Sequence, residues 1–375
     1  MIGRALMASA LALQLPLMPA VAREACRPAR GTLAIGESWA QKRLDPRRAW
    51  QLSTGAGVTV AVIDSGVSHP QIRLAGRADL VGTGFNDCVG HGTAVAGIIG
   101  AQYVKGVPFY GVAPGVRLLS YKQTDSERNG DPKLLVKAIE SAADEGADVI
   151  NLSISTADRP DLKRAVEYAL AKDVVVVAAA GNTTKEDGTP VPEYPAGYEG
   201  VLAVGASGPN GALAEFSNKE TPVSVLGPGQ DVTSTWPGGV YRTDLDGTSY
   251  AVPYVAGVAA LVRARFPRLD QAQVRRRIIA TADGAVGGGK GAGMVNPMLA
   301  LSAILPLEPE GAPVVAPPLP SPLPRGAVAK APPVDRDAVR LALTVAGSGL
   351  GLGLLVLLAR AFIPMGRRRG WRPGR

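Results

Sequence analysis

The chain has only two cysteines and two histidines in 375 residues. Two histidines leave little room for imidazole chemistry. Only His91 has flanking glycines that admit close backbone approach, in Gly90-His91-Gly92-Thr93. The other, His69, precedes Pro70 and reads as a loop or packing residue. No acidic cluster has the spacing of a calcium loop, so neither a structural metal nor a cofactor is expected, and Asp244 and Asp246 read as a surface loop. A basic stripe is also lacking. The net charge is +8, but six arginines from Arg360 onward and Arg4 supply seven of those charges. The rest of the chain is nearly neutral, which argues against nucleic acid as a partner.

The charge that is present flanks two apolar runs. Residues 1–22 have the form of a secretory signal, with Arg4, an apolar stretch from Ala5 to Leu17, and Ala20-Val21-Ala22 as a cleavage site. Residues 339–363 contain an uncharged apolar stretch, Leu341 to Ala359, long enough to nearly span a bilayer of roughly 30 Å. Arg360 and Arg367-Arg368-Arg369 follow it and place the 364–375 tail in the cytoplasm by the positive-inside rule. The signal independently places the preceding domain outside. Residues 306–338 are proline-rich and read as a semi-rigid stalk of about 85 Å when fully extended. Cys26 and Cys88 both fall on the exported side, where an even count implies one disulfide, two free thiols being the alternative.

Between these ends, residues 49–305 alternate β-branched runs with helical periodicity. Strands are expected at 58–63, 117–122, 147–153, 173–178 and 201–206, with helices at 132–145 and 161–172. Such alternation implies an α/β fold, a mostly parallel sheet with helices on both faces. Sites in such sheets form at the carboxyl ends of strands, which is where Asp64 and Asn182 fall.

Three short motifs carry the chemistry. Val62-Ile63-Asp64-Ser65-Gly66, Gly90-His91-Gly92-Thr93 and Gly247-Thr248-Ser249-Tyr250-Ala251 supply a carboxylate, an imidazole and a hydroxyl in that order. A serine hydroxyl attacks only when a base takes its proton, and an imidazole is a good base only when a carboxylate fixes its tautomer. His91 opens one helical run. Ser249 opens another that extends to Phe266, with Pro253 expected in its first turn. A helix N-terminus helps the serine, because its own N–H can face a developing oxyanion. Asn182, in Ala180-Gly181-Asn182, places an amide where a second oxyanion donor is needed. The Gly-x-Ser-x-Gly elbow of α/β-hydrolases is absent, which weakens an esterase reading.

These motifs, with Gly111-Val112-Ala113-Pro114, Val149-Ile150-Asn151-Leu152-Ser153 and Tyr194-Pro195-Ala196, resemble subtilisin-like serine proteases over about residues 50–300. The resemblance implies a triad of Asp64, His91 and Ser249, with Asn182 in the oxyanion hole. It also implies that Ser153 lies on a backbone strand that pairs with an extended peptide substrate. Ser38-Trp39-Ala40-Gln41-Lys42-Arg43-Leu44, Asp87-Cys88-Val89-Gly90 and Tyr250-Ala251-Val252-Pro253-Tyr254 resemble the mycosins, membrane-anchored proteases of type VII secretion systems. That narrower likeness implies partners among the membrane components of a secretion complex. Residues 23–48 occupy the place of a pro-segment and are too short to fold alone, so they are expected to stay attached to the domain. Besides a weaker reading as an esterase or amidase on the same triad, two readings remain open from the chain alone. One is an exported, membrane-tethered serine endopeptidase, and the other is a scaffold that stabilises a secretion complex, with proteolysis secondary.

Overall fold

The run Thr59-Val60-Ala61-Val62-Ile63-Asp64 is apolar on both of its alternating faces, the pattern of a strand covered from two sides. In the computed structural model, which describes residues 26, 28–126, 130–183, 191–284, 291–306 and 336–368, it forms β1 (Thr59–Asp64), buried at all six positions. Two short helices precede it, α1 (Trp39–Leu44) and α2 (Pro46–Ala49). After it come β2 (Leu74–Asp79), α3 (His91–Gly100), β3 (Arg117–Lys122), α4 (Pro132–Asp144) and β4 (Val149–Leu152). Next follow α5 (Pro160–Ala171), β5 (Val175–Ala179), β6 (Leu202–Ser207) and β7 (Val225–Pro228). A hairpin of β8 (Val232–Trp236) and β9 (Val240–Leu245) leads into α6 (Thr248–Arg265), α7 (Gln271–Ala280) and α8 (Pro297–Ser302).

Seven parallel strands form one sheet in the order β2-β3-β1-β4-β5-β6-β7. The winding reverses at β1, which pairs with β3 on one side and β4 on the other. A crevice opens outside the carboxyl ends of the strands at such a reversal. Asp64 is the last residue of β1 and lies at that point.

Strand alternation divides the interior into two layers. Val60, Val62, Val149, Val175 and Val177 face one core together with α3 and α6. Ala61, Ile63, Ile150, Leu152, Val176 and Ala178 face the other, covered by α4 and α5. Helix α6 is buried from Tyr250 through Arg263 on all sides, as a helix through the middle of a core must be. The amphipathic α4 and α5 have solvent on one side, and Pro at their N-termini starts both.

The expected strands and helices appear within two residues of their boundaries. Pro253 differs: α6 begins at Thr248, which puts the proline in the second turn, where it removes a helical hydrogen bond. The strands β2, β7, β8 and β9 were not anticipated. β2 is a half-exposed edge with a register shift at Gly76, and β7 ends in Gly-Pro, so neither has the apolar run of a central strand.

The extension before the domain is tied down at several points. Cys26 and Cys88 are bonded. Thr32 and Tyr241 exchange backbone hydrogen bonds at 2.7 and 2.8 Å. Trp236 Nε1 donates to Ala29 O at 2.7 Å, and Trp39 Nε1 donates to Gln230 O at 2.9 Å. Ala40 and Leu44 join the core. In the chain-entropy picture, closing the 62-residue loop between the cysteines stabilises by about 4 kcal/mol.

A second unit, Pro313–Arg375, is separate from the first, Met1–Ala312. Its described part is α9 (Arg336–Arg368), whose stretch Arg340–Pro364 has mean hydropathy 2.2 and is long and apolar enough to cross a membrane. The signal expected at 1–22, nearly all of the proline-rich stretch and the end of the basic tail lie outside the described residues.

His69 is 9% exposed, and its ring packs against Tyr241. Burial pushes its imidazole down from 6.5 to about 4, the Val240 backbone offsetting part of the effect. Between those values the unfolded chain binds a proton that the folded chain does not. Stability is therefore full above about pH 6.5 and falls by ~2–3 kcal/mol as the pH drops to about 4. Thermal unfolding of the full chain should show this loss, and the non-titrating His69→Gln variant should lack it.

Candidate active site

Each expected site residue is delivered by a different element. Asp64 ends β1, His91 opens α3, Asn182 follows β5, Ser153 follows β4, and Ser249 is the second residue of α6. All five line one cavity of roughly 420 Å³.

The Asp64 carboxylate is 3% exposed, and both of its oxygens face His91 Nδ1, at 2.8 and 3.0 Å. Its Oδ1 also accepts from the Ser65 N–H at 2.8 Å, so the carboxylate is held from a second direction. A carboxylate accepts only, so this contact puts the proton on Nδ1 and makes Nε2 the basic nitrogen of neutral His91. The ring is flanked by Tyr250, with centroids 5.3 Å apart.

Around Ser249 the backbone is set by unusual means. Helix α6 lacks the N–H of Pro253, which would have donated to the Ser249 carbonyl four residues earlier. Ser153 Oγ donates to that carbonyl instead, at 2.7 Å, and accepts from Asn151 Nδ2 at 3.0 Å. The Ser153 side chain thus supports Ser249, while the segment 153–155 lines the cavity.

Asn182 Oδ1 accepts from both the N–H and the Oγ1 of Thr248, each at 2.9 Å. Fixing the oxygen fixes the amide, and Nδ2 then points toward Gly247. A Cβ added at Gly247 would lie 3.0 Å from Ser249 Oγ and 3.5 Å from Asn182 Nδ2. Residue 247 also has φ +151°, which disfavours any side chain. The glycine therefore keeps any side chain out of the gap between the Ser249 hydroxyl and the Asn182 amide.

Two residues expected on a surface loop are both exposed, Asp246 in the loop after β9, and they belong here as well. Asp244 lies on β9 with φ +57°, and Asp246 accepts from the Asp231 N–H at 2.8 Å. Both line the cavity with Trp236 and Arg242, because the β8–β9 hairpin folds back beside it. The hairpin was unrecognised, so neither Asp244 on it nor Asp246 just after it could be placed. His69 is not among the lining residues, in keeping with its expected packing role.

The sequence profile of the subtilase family of S8 peptidases matches residues 55–296. Mycosin-1 of Mycolicibacterium smegmatis is 35% identical over 385 aligned residues, covering 86% of this chain and 84% of that protein. Mycosin-4 of Mycobacterium tuberculosis is 36% identical over 416, covering 97% and 90%. Among solved structures, the periplasmic assembly from the ESX-5 inner membrane complex holds a similar chain, with TM-score 0.66 and 32% identity. The match covers 80% of this chain and 94% of that one.

The exchange of donors at the Ser249 carbonyl makes a prediction. Ser153→Ala leaves that carbonyl unpaired and should cost about 1–2 kcal/mol in thermal unfolding. In a Pro253→Ala background a backbone N–H becomes available, and the same substitution should cost measurably less.

A buried parallel sheet of subtilisin topology, a cavity assembled from these motifs at its reversal point and a family match over residues 55–296 agree: the chain belongs to the subtilase family and is a subtilisin-like serine endopeptidase similar to the mycosins of type VII secretion systems.

Proposed function

We propose that this peptidase cleaves proteins through an acyl-enzyme on Ser249. The observation that carries the reading is the buried Asp64 carboxylate held on Nδ1 of His91, in the cavity that Ser249 also lines. His91 Nε2 takes the Ser249 proton as Oγ attacks the scissile carbonyl carbon. The resulting oxyanion is met by the Ser249 N–H and Asn182 Nδ2 in the space that Gly247 leaves. On collapse His91 gives that proton to the departing amine, and water, activated by the same base, then releases the acyl group. Asp64 holds the tautomer throughout and stabilises the imidazolium. An extended substrate pairs with the backbone at 153–155, beyond the end of β4.

The domain is exported and tethered by α9 to the cell membrane, with its C-terminal tail in the cytoplasm. The apolar stretch Arg340–Pro364 and the arginines after it support this topology. Membership of a type VII secretion complex rests on the likeness to mycosins and to the chain in the ESX-5 assembly. That second likeness also favours a scaffolding role beside proteolysis.

One variant separates the two roles. Ser249→Ala should abolish labelling of the full-length protein by a fluorophosphonate and abolish protein cleavage, while co-purification with membrane partners persists. Asn182→Ala should retain labelling but slow it by roughly 10²–10³-fold. An unlabelled, folded wild-type chain would sink the catalytic reading and leave the scaffold.

A further inference from the structure

Asp87 lies outside the cavity and is 1% exposed, yet its carboxylate makes five hydrogen bonds. Oδ1 accepts from Ser65 Oγ at 2.9 Å, the Val89 N–H at 3.1 Å and the Gly90 N–H at 2.7 Å. Oδ2 accepts from the Thr93 N–H at 2.9 Å and Thr93 Oγ1 at 2.6 Å. Two further bonds close the circuit. Ser65 Oγ accepts from the Gly92 N–H at 2.9 Å, and Thr93 Oγ1 accepts from the Ser68 N–H at 3.0 Å. The Asp87 N–H itself donates to Ser68 Oγ at 3.0 Å.

The partners fall into two groups. Ser65 and Ser68 belong to the turn that leaves β1, one and four residues after Asp64. Val89, Gly90, Gly92 and Thr93 bracket His91. A carboxylate that only stapled its own loop would bond to one group. We propose that Asp87 is a positioning residue for the Asp64–His91 pair, locking the turn after β1 to the first turn of α3 so that the imidazole stays on its carboxylate. The inference rests on the catalytic reading of His91 and Ser249 given above.

A negative charge at the N-terminus of α3 also offsets the positive end of that helix, which would otherwise disfavour the imidazolium formed during reaction. Other charged or titratable groups around His91 are Asp64 at the end of β1, Lys122 at the end of β3 beside Gly66, Tyr250 on α6, and Arg242 and Asp244 on β9. The two contributions of Asp87, geometry and charge, can be separated, because Ser65→Ala removes the bond between the carboxylate and the turn and keeps the charge, with only the Ser68 contacts left to join the two segments.

The test is the rate of fluorophosphonate labelling against pH, measured on full-length wild type, Ser65→Ala, Asp87→Asn and the double variant in detergent micelles. Both single variants should label roughly ten- to a hundredfold more slowly, and the double variant should be little slower than Asp87→Asn. The pH midpoint of labelling should move to lower pH in Asp87→Asn and stay in place in Ser65→Ala. Folded variants that label at the wild-type rate with an unchanged midpoint overturn the proposal. So does a loss of rate in Asp87→Asn that only follows a lowered unfolding temperature, with that variant's midpoint unmoved. If Asp87→Asn does not fold, Ser65→Ala decides alone, and a wild-type rate refutes the positioning role. If wild type itself is not labelled, the reading of Ser249 fails first and the role of Asp87 falls with it.

Discussion

The cleft depends on how closely the start of α3 approaches the end of β1. A Cβ at residue 92 would lie 2.3 Å from the Gly66 carbonyl oxygen and 3.1 Å from Asp64 Oδ1. No side chain fits there, so only glycine lets the helix come near enough for His91 Nδ1 to reach both carboxylate oxygens. That approach needs β1 to be rigid. The strand is rigid because it is fully buried, with α3 and α6 on one face and α4 and α5 on the other. The position of the imidazole is thus a consequence of sheet packing carried through a glycine contact.

Ser249 has the same kind of support from another direction. Helix α6 runs through the larger core and is buried all round, so it moves only if the core does. Within it, Pro253 gives up one helical bond, and Ser153 Oγ, at the end of a neighbouring strand, takes over the freed carbonyl. The Ser249 backbone is therefore bonded to the end of a strand in the sheet that also carries Asp64. Asn182 is fixed to the same helix through Thr248. Three functional side chains on three elements share one frame.

The extension before the domain adds to that frame. Its disulfide meets Cys88, the neighbour of Asp87, and its strand contact meets Tyr241 on the hairpin that borders the cleft. Trp236, also on the cleft wall, donates to Ala29 of the extension. A segment too short to fold alone thus braces the hairpin beside the site, although none of its own residues lines the cavity.

Periodicity and motif order were legible in the chain. Continuous apolar runs identified the central strands, three-and-four spacing identified α4 and α5, and small residues around Asp64, His91 and Ser249 identified the catalytic candidates and the family they resemble. These are local properties, written within a few residues of each other. The edge strand β2 and the β8–β9 hairpin were not legible, because β2 and β9 are partly exposed and the buried β8 reads Val-Thr-Ser-Thr-Trp, so none carries a continuous apolar run. Asp244 and Asp246 consequently looked like loop residues and turned out to line the cleft. The bond from Ser153 to Ser249 spans 96 residues, and Asp87 reaches 22 residues back to Ser65. Sequence alone determined which residues could do the chemistry. Tertiary packing decided which groups hold them in place, because a hydrogen-bond partner distant in the chain is chosen by how sheet and helices stack.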